Sequence, residues 1–253
     1  MSTLAVIPAR LAATRLSRKP LRLLAGAPLV VRVWERVRDL EIADRCVIAT
    51  DHPDVATVAR AAGAECIMTS PDHPSGTDRV AEVAARAGVA DHDVILNVQG
   101  DEPFVSAAAL RGAVALVASG AFPLGTAAAR ADSEILDTPH VVKVVCADDG
   151  RAMYFSRAPI PFLRDLDDAG LRRGLVRQHL GVYAYTPRAL AQWVALPPHP
   201  LERIERLEQL RPLAAGLAMG VATIDEVPLA GIDTEEDLQR ANARWTDLSA
   251  GRV

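Results

Sequence analysis

Short apolar runs alternate with amphipathic segments along the first half of the chain. The runs at residues 3–8, 46–50, 65–68 and 94–98 have the length of strands, and the last is continuous, as expected for a strand covered on both faces. Apolar residues recur at helical spacing in the intervening segments, which predicts helices at 28–40, 54–62, 77–87 and 106–119. This alternation predicts an α/β fold with a mostly parallel, doubly wound (Rossmann-like) sheet and right-handed crossovers.

The second half of the chain has a less regular pattern. It predicts strands at 141–146, 179–185 and 221–224, helices at 187–194, 201–210 and 234–245, and a polar loop at 165–173. Asp233 or Thr234 is placed to cap the last helix. Since neither repeats nor low-complexity linkers interrupt the sequence, we expect a single domain, 1–253, with a smaller interleaved part at about residues 130–220.

Composition narrows the class of protein. Hydrophobic residues make up 50% of the 253 residues, which is typical of a globular α/β protein, and the net charge of −4 gives no basic field for nucleic acid. The three cysteines are widely spaced and form no Cys-x-x-Cys pair, so buried free thiols are expected rather than a zinc or disulfide site. No signal peptide or membrane-spanning run is recognised, so we expect a cytoplasmic protein without a membrane partner.

A basic loop follows the first predicted strand. Residues 9–20 contain Arg10, Arg15, Arg18 and Lys19, and match neither the dinucleotide fingerprint nor the P-loop. Guanidinium groups and an ammonium at the first strand–helix connection suit a triphosphate. A solvated basic loop is an equally good interpretation of position alone.

Two aspartates are placed to bind a metal ion. Asp101 follows the apolar run 94–98, where a carboxylate projects into the crevice at the end of a strand, and Mg²⁺ prefers carboxylates together with substrate phosphates. A turn or cap is the alternative for Asp101. For Asp233 the local pattern favours a helix cap. Local patterns likewise favour a cap at Ser75, a structural histidine at position 179 and a solvated Glu208.

The segment Ile7–Leu21, IPARLAATRLSRKPL, resembles the signature loop of CMP-Kdo synthetases, where Kdo is 3-deoxy-manno-octulosonate. This family is related to the CMP-sialic acid synthetases. Further matching segments occur in the family's order across nearly the full length: Ala49-Thr-Asp51, Ser75-Gly-Thr-Asp-Arg79, Gln99-Gly-Asp-Glu-Pro103, Tyr154-Phe-Ser-Arg157, His179-Leu-Gly-Val-Tyr183, Leu207-Glu-Gln-Leu-Arg211 and Gly231 through Leu238.

The resemblance implies a role for individual residues. The catalytic group would be Arg10, Arg15, Lys19 and Asp101, and the Mg²⁺ ligands would be Asp101 and Asp233. Nucleotide contacts would come from Pro8, Ala9, Arg10, Arg15, Lys19, Ser75, Gly76, Arg79 and Gln99. Sugar contacts would come from Arg157, His179, Tyr183, Glu208 and Gln209. Residues 130–220 would then serve sugar binding and dimerisation within a nucleotidyltransferase domain.

The implied activity is transfer of CMP from CTP to Kdo with release of pyrophosphate, by a Mg²⁺-dependent homodimer that serves lipopolysaccharide synthesis. Two departures stand out: Arg18 replaces the family's glycine, and Gln178 replaces an arginine, although Arg177 is adjacent. Sialic acid or an amino-substituted Kdo therefore stays open as the acceptor. A non-catalytic nucleotide-binding protein on the same fold is the alternative from another class, although it would be expected to lack a metal carboxylate or the loop lysine.

Overall fold

A computed structural model describes residues 1–12, 15–86, 88–89, 91–226, 229 and 231–249, except for the side chains of 133 and 246–249. The described chain divides into two compact units. The first contains residues 2–92, 97–105 and 229–253, and the second contains residues 93–96 and 106–228 together with Met1. The predicted end of the third helix at Ala87 lies outside the described residues.

The elements alternate as the apolar pattern predicts. The strands are β1 (Thr3–Ala9), β2 (Leu23–Leu24), β3 (Ala27–Pro28), β4 (Arg45–Thr50), β5 (Glu65–Met68), β6 (Val94–Asn97), β7 (Leu124–Arg130), β8 (Lys143–Cys146), β9 (Ala152–Ser156), β10 (Arg177–Tyr185) and β11 (Met219–Ile224). The α-helices are α1 (Leu29–Asp39), α2 (Pro53–Ala61), α3 (Gly76–Ala84), α4 (Ala107–Ala118), α5 (Ala169–Leu175), α6 (Pro187–Ala195), α7 (Pro200–Glu205), α8 (Leu210–Ala214) and α9 (Glu235–Ser249).

The first unit is built on a parallel sheet. β4 pairs in parallel with β1 and with β5, so that Pro8 and Ala9 lie opposite Ala49 and Thr50. The side chains of Leu4 through Ile7 are fully buried, which is why this strand reads as one apolar run. Helices α1, α2 and α3 pack against these strands. The carboxyl ends of β1 and β4 therefore meet at one edge, where the basic loop begins.

The second unit has a mixed sheet. β7 pairs in parallel with β11 and antiparallel with β10, and β8 pairs antiparallel with both β9 and β10. Helix α4 packs across β7, β10 and β11. The predicted α/β class is confirmed, with the parallel pairing that the pattern indicated in the first unit and mixed pairing in the second.

Helix α4 approaches β7 closely at Gly125. A Cβ atom built there would lie 2.4 Å from the Ala113 carbonyl oxygen, a contact that only a backbone shift relieves. Gly125→Ala is therefore expected to lower the free energy of unfolding by about 2 kcal/mol. Gly174→Ala is the matched control, since no atom lies within 4 Å of its Cβ position in α5 and alanine favours a helix by about 0.5 kcal/mol or more. Urea unfolding of both variants checks the prediction, and equal effects would contradict it.

The structure differs from the predicted secondary structure in three ways. Residues 165–173, predicted as a loop, contain a 3-10 turn at Leu166–Asp168 and the start of α5. The predicted helix 201–210 is broken, because Arg206 takes a left-handed conformation (φ 54°, ψ 47°) after α7. Four strands, β2, β3, β7 and β9, were not predicted. No helix of the described residues combines the length and apolarity needed to cross a membrane. The assignment of residues 130–220 to sugar binding and dimerisation stays a prediction.

Candidate active site

Apolar side chains anchor the described part of the basic loop, residues 9–20. Leu16 and Pro20 are buried, while Arg10, Arg15 and Arg18 are exposed. The loop ends in a 3-10 turn at Lys19–Leu21 that begins with the Leu21 amide donating to the Arg18 carbonyl at 2.9 Å. Arg18 itself lies in the left-handed region, at φ 53° and ψ 34°. Glycine adopts that backbone readily, so this conformation agrees with the glycine of the family pattern.

Lys19 is hydrogen-bonded to both aspartates that the sequence proposes as metal ligands. Its Nζ lies 2.5 Å from Asp101 Oδ2 and 2.7 Å from Asp233 Oδ1. Burial lowers the pKa of Lys19, but the two carboxylates outweigh that effect and hold the pKa above its ordinary value. The lysine is therefore a cation at neutral pH. Asp101 and Asp233 lie 82 and 214 positions from Lys19 in the sequence, yet both contact its ammonium.

The backbone brings Asp101 and Asp233 together. The Ile232 amide donates to the Asp101 carbonyl at 2.9 Å. A Cβ atom at Gly100 would lie 2.8 Å from the Pro8 carbonyl oxygen, so only glycine permits the segment to pass this close to β1. Close packing against β1 and against the segment before α9 thus fixes the position of the Asp101 carboxylate.

Asp233 is not the cap of α9, which was the alternative that its local sequence favoured. Thr234 Oγ1 accepts from the Asp237 amide at 3.2 Å, and Asp237 Oδ2 accepts from the Thr234 amide at 2.9 Å. These reciprocal bonds cap the helix and release the Asp233 carboxylate. That carboxylate contacts Lys19 and also Arg15, whose Nη2 lies 3.0 Å from its Oδ2.

Glu102 is part of this cluster and was missed as a site residue. Burial, and then the negative charge of Asp101, raise the pKa of Glu102 to about 8, with Lys19 opposing and Asp233 adding to the shift. A protonated Glu102 adds no third negative charge beside the two aspartates at neutral pH. The adjacent acidic pair in Gln99-Gly-Asp-Glu-Pro103 was the available signal, because two neighbouring carboxylates at one site cannot both ionise easily.

The donor set suits a hard divalent cation. Mg²⁺ is commonly held by one or two protein carboxylates, with phosphate oxygens and water as its other ligands. Asp101 and Asp233 supply such a pair, since both reach a single cationic atom, Lys19 Nζ. Among the described residues no group of three or more His, Cys, Asp or Glu side chains is placed to hold a metal alone. The arrangement therefore fits a metal that also contacts a substrate phosphate.

The predicted nucleotide-side residues gather at the carboxyl ends of β1 and β4. Gly76 packs on Pro8, with 3.4 Å between the ideal Cβ position and Pro8 Cγ. Ser75 caps α3, as its local sequence favours, by accepting from the Asp78 amide. Arg79 is 3% exposed and its Nη2 lies 3.1 Å from Asp51 Oδ2. The buried guanidinium ties β4 to α3, so it is a support of this edge rather than a free cation. The contacts of these residues with a nucleotide stay predictions.

Arg157, the predicted partner of the sugar carboxylate, lies just after β9 in the second unit. Its Nε donates to the Glu205 carbonyl at 2.8 Å, its Nη1 to the Pro139 carbonyl at 3.0 Å and its Nη2 to the Arg206 carbonyl at 3.4 Å. A guanidinium has five N–H groups, so these three bonds leave one on each Nη atom. These two N–H groups are the donors that remain for a substrate carboxylate.

The other predicted sugar-side residues are mostly buried. His179 is 9% exposed, its Nε2 lies 2.9 Å from Thr126 Oγ1, and its ring contacts Phe155 and Tyr183. Gln209 is 3% exposed and Glu208 is half-buried. The surroundings of His179 agree with a structural histidine. Its role toward a sugar, like those of Tyr183, Glu208 and Gln209, stays a prediction.

His179 makes stability depend on pH. Burial lowers its pKa to about 3, whereas an exposed histidine in the unfolded chain titrates near 6.5. Between these values only the unfolded chain binds the proton, so stability is lost as pH falls from about 6.5 toward 3, by at most ~1.4 kcal/mol per pH unit. His179→Gln is expected to flatten this slope in chemical unfolding measured at pH 5 and 6.5. An unchanged slope in His179→Gln would mean that His179 does not cause this pH dependence. The control is His140→Gln, which changes an exposed histidine.

Comparison with known proteins agrees with this geometry. The sequence model of the family described as Cytidylyltransferase matches residues 4–221. The solved structure of a cytidylyltransferase from Leptospira borgpetersenii has a TM-score of 0.60 at 14% identity, covering 96% of this chain and 86% of that one, and so shares the fold. Together with the cluster of Lys19, Asp101 and Asp233, these matches define the class: an α/β nucleotidyltransferase, as predicted.

Two nearer relatives fix the family. A curated 3-deoxy-manno-octulosonate cytidylyltransferase from Gemmatimonas aurantiaca is 63% identical over 250 residues, which are 99% of this chain and 96% of that protein. The solved structure of CMP:2-keto-3-deoxy-manno-octonic acid synthetase complexed with CTP is 32% identical, with a TM-score of 0.90 over 98% of this chain and 100% of that one. The chain belongs to the 3-deoxy-manno-octulosonate cytidylyltransferase family. The predicted family, fold class and enzyme class are confirmed.

Proposed function

We propose that this chain forms CMP-Kdo and pyrophosphate from CTP and Kdo. The observation that carries the proposal is the convergence of Lys19 with Asp101 and Asp233 next to the basic loop. The identity of 63% to a 3-deoxy-manno-octulosonate cytidylyltransferase supports Kdo as the acceptor. A non-catalytic nucleotide-binding protein is disfavoured, because both carboxylates and the loop lysine are present and in contact.

The chain's own residues supply positioning and charge. Asp101 and Asp233 would hold Mg²⁺, which when bound lowers the pKa of the attacking hydroxyl and neutralises phosphate charge. Lys19, Arg10 and Arg15 would orient the triphosphate and stabilise the charge that develops on the leaving pyrophosphate. Arg10 is exposed and has no ion pair with the described residues, so its guanidinium is available to a phosphate. No protein nucleophile is needed for in-line transfer of the nucleotidyl group.

The nucleotide would lie along the carboxyl ends of β1 and β4, with Pro8, Ala9, Ser75, Gly76, Arg79 and Gln99 as its predicted contacts. The sugar acid would contact Arg157, His179, Tyr183, Glu208 and Gln209. Arg177, next to the position of the family arginine, has its Nε 3.2 Å from Thr223 Oγ1. Gln178 lies opposite Lys143 in the sheet. Sialic acid and an amino-substituted Kdo therefore stay as alternative acceptors.

Pyrophosphate release tests the function. The protein is incubated with Mg²⁺, each of CTP, UTP, ATP and GTP, and each of Kdo, an amino-substituted Kdo and sialic acid. Release with CTP and Kdo, at a kcat/KM at least about 100-fold above every other pair, is the expected outcome. Preference for another acid would reassign the acceptor, and no release with any pair would favour the binding protein.

We further propose a cytoplasmic homodimer that supplies activated Kdo for lipopolysaccharide. Four large apolar side chains that are close together in the sequence are exposed in the second unit, at Phe162, Leu166, Leu171 and Leu175. Contiguous apolar patches on a protein surface mark interfaces, which makes this segment the proposed contact. A second copy of the chain is the occupant that the family resemblance implies. Light scattering is expected to give twice the mass of 27.0 kDa, and Leu171→Asp to shift it toward the monomer.

A further inference from the structure

Lys143 is a buried lysine that the proposed mechanism does not use. Its side chain is fully buried, and its ammonium donates to the carbonyls of Arg157 at 2.5 Å, Val141 at 2.8 Å and Thr138 at 3.2 Å. All three N–H groups are thereby used. Burial and the positive charge of Arg157 lower the pKa of Lys143, and the carboxylates of Glu205 and Asp137 oppose this shift. The direct contacts of the ammonium are with backbone carbonyls.

The position of Lys143 connects it to the predicted sugar-side residues. In β8 it lies opposite Ser156 of β9 and opposite Gln178 of β10. The next residue of β10, His179, donates its amide to the Val142 carbonyl at 2.8 Å. Lys143 is therefore central to the three strands that carry Arg157 and His179. Its contact with the Arg157 carbonyl fixes the backbone from which the Arg157 guanidinium extends.

Glu205 completes the same network from the opposite side. Its Oε1 accepts from Ser156 Oγ at 2.6 Å, and its Oε2 accepts from the Arg157 amide at 2.9 Å. Its own carbonyl accepts from Arg157 Nε at 2.8 Å. Both backbone groups of Arg157 and part of its guanidinium are thus held by Lys143 and Glu205. The left-handed conformation of Arg206 ends α7 and presents the adjacent carbonyls to this guanidinium.

We propose that Lys143 and Glu205 are positioning residues that aim the Arg157 guanidinium at the carboxylate of the sugar acid. The inference rests on the proposed function, in which Arg157 binds that carboxylate. Three of the five guanidinium N–H groups donate to backbone carbonyls. The direction of the two remaining N–H groups therefore depends on the positions of those carbonyls and of the Arg157 backbone.

Steady-state kinetics of the full chain test the proposal, with CTP and Kdo varied in turn. Lys143→Met is expected to raise the KM for Kdo about 10-fold or more, because a small displacement of a substrate clamp has a large kinetic effect, and to leave the KM for CTP within twofold. Lys143→Arg is expected to restore part of the loss. Glu205→Gln keeps an acceptor and the shape of the side chain, and is expected to raise the KM for Kdo severalfold in a stably folded protein.

The controls separate this proposal from the one on which it rests. Arg188→Met removes an exposed cation of the same unit and is expected to leave both KM values unchanged. If Arg157→Ala leaves the KM for Kdo unchanged, the proposed role of Arg157 is wrong. If Arg157→Ala raises it but Lys143→Met and Glu205→Gln change the two KM values equally or not at all, the positioning role is wrong and the proposed function stands. Thermal melting of each variant accompanies the kinetics.

Discussion

Replacing Asp101 with asparagine is expected to lower kcat by about 1,000-fold or more, with CTP binding retained in part. Asparagine keeps the shape and removes the charge that would hold Mg²⁺ together with Asp233. The loss of a metal ligand removes several kcal/mol of transition-state stabilisation, and each 1.36 kcal/mol corresponds to a factor of ten. Binding is expected to survive in part because the proposed contacts of the basic loop with the triphosphate do not involve Asp101.

Pyrophosphate release at saturating CTP and Kdo over a range of Mg²⁺ concentrations measures this effect, with equilibrium binding of CTP measured in parallel. Asp72→Asn is the matched control, since it changes an exposed aspartate of the same unit. Asp233→Asn is expected to resemble Asp101→Asn. Turnover at the wild-type level with bound Mg²⁺ in Asp101→Asn would exclude this residue as a metal ligand.

Replacing Lys19 with methionine is expected to lower kcat/KM for CTP by about 100- to 1,000-fold, the usual effect of removing one group that stabilises transition-state charge. It also leaves Asp101 and Asp233 facing each other without the ammonium that lies within 2.7 Å of both. The side chain of Lys19 is only 14% exposed, whereas the aspartates are 31% and 40% exposed, so water screens part of the repulsion. We expect a loss of about 1 kcal/mol of stability.

Added Mg²⁺ separates the effect of Lys19→Met on stability from its effect on catalysis. Mg²⁺ is expected to raise the melting temperature of Lys19→Met more than that of the wild type, because it replaces a missing positive charge between the carboxylates, and to leave the kinetic defect. Arg22→Met removes a nearby cation whose Nη2 lies 2.7 Å from Glu235, and is expected to show neither effect. If Mg²⁺ raised the melting temperature of Lys19→Met and of the wild type equally, Mg²⁺ would not replace the Lys19 ammonium between the two carboxylates.

The sequence predicts the first unit better than the second for physical reasons. Apart from the two-residue strands β2 and β3, the strands of the first unit are apolar runs, so their positions and the polar residues that follow them are visible in the pattern. β7 was missed because its core is Ala127, Ala128 and Ala129, and alanine has little preference for strands. The break after α7 was missed because Arg206 adopts the left-handed conformation that glycine usually signals.

Some residues of the candidate site could be predicted from the sequence and others could not. The family resemblance predicted that Lys19 and Asp101 act together, and each lies in a segment that follows a strand of the sheet. The local pattern at Asp233 could not separate a cap from a ligand, since Thr234 and Asp237 form the cap only through reciprocal bonds seen in three dimensions. Glu205 was missed because its partners, Ser156 and Arg157, are distant in sequence and carry no motif that includes it.

The left-handed conformation of Arg18 restricts the backbone of the basic loop before a ligand binds. Arginine in this conformation is less favourable than glycine by about 1–2 kcal/mol, and the bond from its Nη2 to Asp54 Oδ2 at 2.7 Å helps to hold the turn. A glycine at the same position would sample many more backbone conformations before binding. If the basic loop binds a triphosphate as proposed, Arg18 lowers the conformational entropy that this turn loses on binding, at the expense of strain in the folded state.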